Sequence, residues 1–250
     1  ARVEVFVSQN GNNQNALSND EIKSRINEDY DLNISVNNNE LKATAKSKHS
    51  LNWRRSLSFS FRIYVSANVS TNLRTSGGSI VLTRLSGNQD FKTSGGNLNL
   101  NSLSGKVKGS TSGGNIYLKN CIDDLDLSTS GGNIHAENSS GNITVSTSGG
   151  SIKLNNLKGN IEAKTSGGNV EGETIEGDLS AHTSGGNISL HELSCSLKTS
   201  TSGGNIDVEI KNPGKYISIN NSAGKVNLSL PKKTGMTLKL NAMWLLNITL

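Results

Sequence analysis

The glycine-rich tetrapeptide Thr-Ser-Gly-Gly is the first feature of this sequence that could do chemistry, because it occurs eight times. Glycine-rich loops bind phosphate when they follow a strand, carry a Lys-Ser/Thr pair and lead into a helix. In Gly105-Lys106-Val107 and Gly224-Lys225-Val226 no hydroxyl residue follows the lysine, and the residues beyond have the alternation of a strand. The sequence therefore does not predict a phosphate-binding loop.

Metal ions are the second kind of ligand that such repeats can bind. Nine-residue calcium repeats place an aspartate at a fixed distance after the glycines, but here that place, position 8 counted from the threonine of each unit, is never acidic. Asp123, Asp124 and Asp126 form an acidic cluster that could hold an ion, although a solvated turn is the simpler interpretation. His135, His182 and His191 belong to outward positions that complete no metal-ligand pattern. We predict no metal and no cofactor.

Catalysis would require carboxylates that converge in a concave site. Glu162, Glu171 and Glu173 are the set available for a polysaccharide-acting β-helix enzyme, which is the alternative hypothesis. The units have a uniform length without long loops, and outward position 7 changes residue type from unit to unit. We therefore predict that the chain is not an enzyme. Tyr117 and Tyr216 are the best aromatic candidates for stacking on a sugar.

These residues are positioned by a strict period of 18 residues. The copies begin at Thr75, Thr93, Thr111, Thr129, Thr147, Thr165, Thr183 and Thr201. Apolar residues recur at positions 6 and 8 and again at positions 15 and 17, which predicts two short strands per unit, each with one buried face. A third apolar column, at position 11, would fill the bend between the two strands.

Units of equal length stack in register, so the pattern predicts an all-β fold. We expect a single-chain parallel β-solenoid, of the β-helix or β-roll type, with about nine 18-residue coils spaced by ~4.8 Å. Nine such coils would extend for ~40 Å or more. A weaker ninth copy begins at Asn221, after an insertion that contains Pro213-Gly214.

The glycine pairs at positions 3 and 4 are interpreted as structural corners of the coil. We expect them to adopt positive φ at a bend where a Cβ atom would clash. The asparagine that usually follows would form a column of side-chain amides. The corner glycines are Gly77, Gly78, Gly95, Gly96, Gly113, Gly114, Gly131, Gly132, Gly149, Gly150, Gly167, Gly168, Gly185, Gly186, Gly203 and Gly204.

Three regions follow from where the repeat begins and ends. Residues 1–72 lack the repeat and predict a β-rich N-terminal cap with one short helix near Asp20–Glu28. Residues 73–230 form the solenoid, and residues 231–250 form a C-terminal cap. The apolar stretch Met243-Trp244-Leu245-Leu246 makes this last region a lid or, alternatively, a surface for a partner.

Composition limits the remaining possibilities. The formal net charge is +5, and its main basic stretch, residues 42–62 with Arg54 and Arg55, is a possible ligand or partner surface, although lysine and arginine also protect exposed strand edges. We expect no nucleic-acid partner.

Cys121 and Cys195 lie about four coils apart, too far for a disulfide. No apolar run is long enough to span a membrane, and a start at Ala1 suggests that a signal or anchor segment was removed.

The repeat TSGGNIxL, followed by a Gly-x-Ile-x-Ala half, resembles the bacterial adhesin-like β-strand-repeat family. This family is a domain of unknown function related to the head domain of autotransporter adhesins. The resemblance covers about Leu73 to Leu230, and Ser56–Phe61 is similar to the family's leading strand. It implies an exported protein that is periplasmic, outer-membrane-associated or on the cell surface, and no catalytic residues carry over.

The function expected from these features is that of a non-enzymatic binding or spacer module in the cell envelope, such as an adhesin. The expected partner is a cell-surface glycan or an envelope protein. An envelope-stress scaffold that binds a protein partner is a further alternative.

Overall fold

Strands dominate the structure, as the alternating sequence predicts: of the residues that the structure describes, 63% lie in strands and 5% in a helix. The computed structural model describes residues 1–10, 17–52, 55–232, 237–242 and 246–249. The chain divides into two compact units, Ala1–Ser66 and Ala67–Leu250. Arg54, Met243, Trp244 and Leu245, which the sequence singled out, lie outside the described residues.

The described residues of the N-terminal unit form one helix and two antiparallel strand pairs. The elements are β1 (Arg2–Gln9), α1 (Asn19–Asp29), β2 (Tyr30–Asn37), β3 (Glu40–Ser47) and β4 (Leu57–Tyr64). β1 pairs with β4, and β2 forms a hairpin with β3. The helix begins with a capping box, in which Ser18 and Glu21 satisfy each other's backbone amides. This is the region for which the sequence predicts a short helix and strands.

The second unit is a parallel β-solenoid of about nine turns, as predicted. Its strands are β5 (Thr71–Thr75), β6 (Ile80–Thr83), β7 (Gln89–Thr93), β8 (Leu98–Asn101), β9 (Lys106–Thr111), β10 (Ile116–Lys119), β11 (Ile122–Thr129), β12 (Ile134–Thr147), β13 (Ile152–Lys164), β14 (Val170–His182), β15 (Ile188–Thr201), β16 (Ile206–Ile210), β17 (Tyr216–Asn221), β18 (Val226–Ser229), β19 (Thr237–Ala242) and β20 (Leu246–Thr249).

The coils stack in the register that the repeat dictates. Ile134 lies beside Ile152, which in turn lies beside Val170, so equivalent positions form continuous columns. The offset becomes 20 residues at the insertion, where Leu197 pairs with Ile217. β19 and β20 continue the parallel ladder on β17 and β18, so the described part of residues 231–250 adds strands to the stack.

The core is the set of apolar columns predicted from the sequence. Positions 6, 8, 11, 15 and 17 are buried through the middle coils, as in Ile152, Leu154, Leu157, Ile161 and Ala163. Where one column carries glycine, a neighbouring side chain fills the space, because a Cβ on Gly109 would lie 2.1 Å from the Phe91 ring. Burial of these columns supplies the main favourable term for folding.

Two of the bends in most of the coils use left-handed backbone. Position 10 has positive φ in seven consecutive units although none of its residues is glycine: Arg84, Ser102, Asn120, Asn138, Asn156, Thr174 and Glu192. Position 13 also has positive φ and is usually glycine, as in Gly141 and Gly159. In one unit Asp123 takes that place, with φ 78°. The varied residue types at position 10 hid this bend from the sequence analysis.

One buried hydroxyl gives a stability prediction. Thr199 is 1% exposed, and its Oγ1 has no hydrogen-bond partner among the described residues. An unpaired buried polar atom destabilises a fold, so Thr199→Val, which keeps the shape, is expected to raise the free energy of unfolding by about 1 kcal/mol. Urea unfolding measures the change. Thr201→Val, two residues away, is the matched control and should lower the free energy of unfolding, because Thr201 makes two hydrogen bonds. A change of the same sign in both variants would contradict the prediction.

Candidate functional site

The Thr-Ser-Gly-Gly corner is the most repeated feature of the chain and therefore the first candidate for a binding site. The glycine pairs lie at bends, but the expectation of positive φ was wrong, since none of them lies in the left-handed region. Position 4 requires glycine because the backbone of the preceding coil lies too close for a Cβ atom. A Cβ on Gly150 would lie 2.0 Å from the carbonyl oxygen of Gly132 in the preceding coil, whereas a Cβ on Gly149 would meet nothing nearer than 3.7 Å.

The threonine of each corner joins successive coils, a role that the sequence analysis missed. Thr147 Oγ1 donates to the carbonyl oxygen of Gly132 at 2.8 Å and accepts from the amide of Gly150 at 3.2 Å. The same pair of bonds recurs at the other threonines from Thr93 to Thr201, for example at Thr111. In the ninth copy Asn221 replaces threonine and donates to the carbonyl of Gly204 at 3.1 Å. The signal was present, since the threonine occurs in all eight copies.

The asparagine column at position 5 also joins coils. The side-chain oxygen of Asn115 accepts from the backbone amide of Asn133 at 2.8 Å, and that of Asn133 accepts from the amide of Ser151 at 2.8 Å. The repeated residues of the corner are thus occupied by contacts between coils. They form a structural element and leave the outward columns as the candidate binding surfaces.

The outward side chains of the first strand segment, at positions 7 and 9, form one surface, which we call the variable face. At position 7 its column reads Asn99, Tyr117, His135, Lys153, Glu171, Ser189 and Asp207. Neighbours within a column are one coil apart, about 4.8 Å. The face therefore presents a different chemical group at each step along a regular backbone.

An ordered polar cluster lies in the middle of the variable face. Glu137 forms a salt bridge with Lys119 of the preceding coil and lies 3.5 Å from His135 Nε2. The hydrogen bond from Lys119, followed by that from His135, lowers the pKa of Glu137 against the opposing effect of burial. The carboxylate is therefore held ionised and remains a hydrogen-bond acceptor.

A second cluster places a serine, a histidine and a carboxylate in sequence. Ser189 Oγ lies 2.9 Å from His191 Nε2, and His191 Nδ1 lies 3.7 Å from Glu209 Oε2. This order of groups is that of a nucleophile, a base and an orienting acid. However, β15 is paired along both edges with β14 and β16, so its backbone amides are engaged in the ladder rather than directed at a developing oxyanion.

The carboxylates proposed for the enzyme alternative do not meet. Glu171 and Glu173 belong to the variable face, whereas Glu162 lies on the other strand segment of the preceding unit and pairs with Lys164. The Asp123 and Asp124 side chains are bonded within the solenoid, to the amide of Gly105 and to Asn142. Within the described residues, no group of His, Cys, Asp and Glu is arranged to hold a metal ion.

His182 lies away from His191, with its Nδ1 at 2.8 Å from Ser200 Oγ. A shallow groove lies at the corners of the earlier coils. The groove is lined by Lys92 and by the Ser-Thr-Ser triplets 110–112, 128–130 and 146–148. Tyr216, the second aromatic candidate, is 42% exposed at the start of β17, apart from the variable face.

Arg55 lies in the N-terminal unit, where it is bound to acidic residues. Its Nε donates to Asp29 Oδ2 at 2.8 Å, and its second guanidinium nitrogen lies 2.9 Å from Glu28. The Asp29 side chain is 3% exposed and also lies 3.2 Å from His49 Nε2. The hydrogen bond from Arg55 is the main cause of the lowered pKa of Asp29, acting against burial. Much of the Arg55 charge is therefore engaged inside this unit.

This ion pair predicts a pH dependence. Because the folded pKa of Asp29 is lowered, the pair stabilises the unit above the ordinary pKa of aspartate, and this is lost as the pH falls through the lowered value. Arg55→Ala is expected to raise the pKa of Asp29, which an NMR titration of its carboxyl carbon measures. Lys42→Ala, an exposed cation without an ion pair among the described residues, is the control. An unchanged Asp29 titration in Arg55→Ala would contradict the assignment.

Both cysteines are free, as predicted, and both are buried. Burial raises the pKa of Cys121, and burial followed by the charge of Asp178 raises the pKa of Cys195 to about 12. The thiolate is the reactive form, so neither thiol should react with iodoacetamide in the native protein near about pH 8. Mass spectrometry should find both alkylated only after unfolding, whereas Ser112→Cys, at an exposed position, should be alkylated at once. Rapid native labelling of Cys195 would contradict this.

No helix in the described part of the chain has the length and apolar character needed to cross a membrane. Comparison with known proteins gives no match among curated proteins and none among solved structures. The family model Toastrack DUF4097, which describes a domain of unknown function with a β-solenoid-like arrangement, matches residues 116–243, just over half of the chain. The matched region includes the corner threonines and glycines from Thr129 to Gly204, and the chain therefore belongs to the Toastrack family DUF4097.

Proposed function

We propose that this protein is a non-enzymatic binding module, exported to the cell envelope, that uses its solenoid as a rigid support for the variable face. A cell-surface glycan or an envelope protein is the partner, and the role is that of an adhesin or a spacer. The observation that carries the proposal is the contrast between columns. The residues at positions 1, 4 and 5 are repeated from coil to coil and are engaged in the contacts of the corner. The residues at positions 7 and 9 vary from coil to coil.

The chemistry of the variable face supports recognition rather than turnover. Its groups are held in place by the ladder and by local bonds such as the Lys119–Glu137 salt bridge. Lys153, Glu171 and Asp207 make no ion pair within the described residues, so their charges are available to a partner. A binding surface that is already ordered has less conformational entropy to lose on association.

The proposal is tested by removing the face without removing the fold. In one variant the outward residues at positions 7 and 9 of the coils from residue 117 to residue 209 are replaced by serine. In the control, the outward residues at position 16 of the same coils are replaced. Envelope fractions from the organism that encodes the protein are passed over each immobilised chain, and bound glycan and protein are quantified.

We expect saturable capture by the unmodified chain and by the control, and loss of capture in the first variant at an unchanged unfolding midpoint. Capture that is equal in all three chains would overturn the variable face as the binding surface. Absence of saturable capture by the unmodified chain would overturn the binding function itself. A fluorescence microscopy assay of the tagged protein in the source cells tests the localisation, and a cytoplasmic signal would contradict it.

A further inference from the structure

The ring of Tyr117 is the most exposed aromatic feature of the variable face. It lies between Ile116 and Leu118, both buried in the core, so its side chain points outward and is 44% exposed. Its hydroxyl accepts a hydrogen bond from Asn115 Nδ2 at 3.4 Å, which restrains the ring. A restrained tyrosine offers a broad apolar face with a polar edge at little further entropic cost.

Polar side chains surround this ring on the same face. In the strand register Asn99 lies beside Tyr117 on one side and His135 on the other. Asn101, Lys119 and Glu137 form the parallel row at position 9. Adjacent coils are about 4.8 Å apart, so amide, ammonium, imidazole and carboxylate groups all lie within one coil of the ring.

The charges in this ring of polar groups compensate each other. Glu137 is bound to Lys119 and contacts His135, and the asparagines are neutral. The salt bridge also fixes both partners, which leaves a preformed set of donors and acceptors around an apolar platform. A ligand that matches has one apolar face, hydroxyl groups around its rim and no net charge.

A pyranose ring has this chemistry, because its axial C–H bonds form an apolar face and its equatorial hydroxyls point outward. We propose that Tyr117, with Asn99, Lys119, His135 and Glu137 around it, forms a stacking site for a neutral pyranose unit of a glycan chain. The inference rests on the proposed binding function and names its ligand class and its centre. Further sugar units of the chain would continue along the variable face.

Tyr216 provides a matched control. It has almost the same exposure, 42%, but it begins the strand that follows the insertion, and its register neighbour is Thr237. Its hydroxyl has no hydrogen bond among the residues that the structure describes. Because Tyr216 lies outside the variable face, its ring should not bind a sugar in the same way.

The test uses the full chain and isothermal titration with neutral hexasaccharides of β-linked glucose, α-linked glucose and β-linked N-acetylglucosamine. A hexasaccharide of galacturonic acid is the charged comparison. At least one neutral hexasaccharide should bind saturably, and Tyr117→Ala should weaken it by about tenfold or more, as for a central aromatic contact. Tyr216→Ala should stay within about threefold of the unmodified chain, whereas Tyr117→Phe, which keeps the ring but loses the hydrogen bond from Asn115, should weaken binding less than Tyr117→Ala does. Circular dichroism establishes that each variant is folded.

Three results would overturn the inference: no binding of any neutral hexasaccharide, binding that Tyr117→Ala leaves unchanged, or tighter binding of the galacturonic acid chain. A failure of this glycan site can be told apart from a failure of the proposed binding function. If the envelope capture described above persists while neutral sugars fail to bind, the glycan site is wrong and the binding module stands. If capture also fails, both are wrong.

Discussion

Replacing Gly150 with alanine is expected to destabilise the solenoid by about 3 kcal/mol or more, the upper range for overpacking a core. The added Cβ would lie 2.0 Å from the carbonyl oxygen of Gly132, 2.5 Å from its carbonyl carbon and 2.8 Å from the amide nitrogen of Asn133. All three atoms are backbone, so no side chain can rotate away. The coils would have to separate, and their ladder would break on both sides of the corner.

The adjacent glycine is the control, because it differs in one physical respect. A Cβ on Gly149 would meet only ordinary van der Waals contacts, the nearest at 3.7 Å. Its backbone is also outside the left-handed region. Gly149→Ala should therefore change the free energy of unfolding by no more than about 1 kcal/mol in either direction. Urea unfolding followed by circular dichroism measures both variants, and equal midpoints would refute close approach as the reason for this glycine.

The second large effect is expected for Thr147→Val. The substitution removes a hydroxyl that donates to Gly132 and accepts from Gly150, while the methyl groups keep the volume. One carbonyl oxygen and one amide would then be left unpaired at a site where the threonine is buried. At about 1–3 kcal/mol for each unsatisfied buried group, the expected loss for the two groups is roughly 2–6 kcal/mol.

Thr147→Ser separates the hydroxyl from the methyl group. Serine keeps both hydrogen bonds and loses one methyl, for which about 1 kcal/mol is expected. Differential scanning calorimetry on the three chains should give the order threonine, serine, valine in decreasing stability. A valine variant at least as stable as the serine variant would show that the hydroxyl ladder does not hold the coils together.

Much of the solenoid could be predicted because its determinants lie within one repeat. Alternating apolar residues such as Ile152 and Leu154 define a strand face, and a constant period brings Ile134, Ile152 and Val170 into one column without any long-range information. The unlinked state of Cys121 and Cys195 follows from the same periodicity. The stacking asparagines were also predicted from their spacing.

Contacts between coils were harder to foresee, because they depend on atomic distances. Glycine is needed at position 150 because the carbonyl oxygen of Gly132, 18 residues earlier, lies where a Cβ would be. From the sequence alone, this need for space cannot be told from a need for positive φ. Positive φ occurs at other positions, such as Gly159 and Glu192. At Glu192 the residue type does not indicate a left-handed backbone. The Thr147 hydroxyl was visible as a repeated letter, but its two partners were not.

The candidate site was predictable in part for the same reason. Tyr117 could be assigned to an outward position from the period alone, whereas the Lys119–Glu137–His135 cluster depends on which rotamers meet across coils. In the N-terminal unit no repeat exists, so the pairing of Arg55 with Asp29, 26 residues apart, had no sequence signal. Arg55 was selected as an unpaired cation, and the fold supplied its partners.

The stacking of one unit per coil is tested most directly by distances between spin labels on the serines at position 2, where Ser76, Ser112, Ser148, Ser184 and Ser202 are exposed. The serines are replaced by cysteine in pairs, and the distances are measured by double electron–electron resonance. The pairs 76/148 and 112/184 both span four coils and should give the same separation of about 19 Å, while the pair 76/202 spans seven coils and should give about 34 Å. Unequal separations for the first two pairs, or a value for 76/202 that does not grow in proportion, would contradict the solenoid and every functional inference that depends on it.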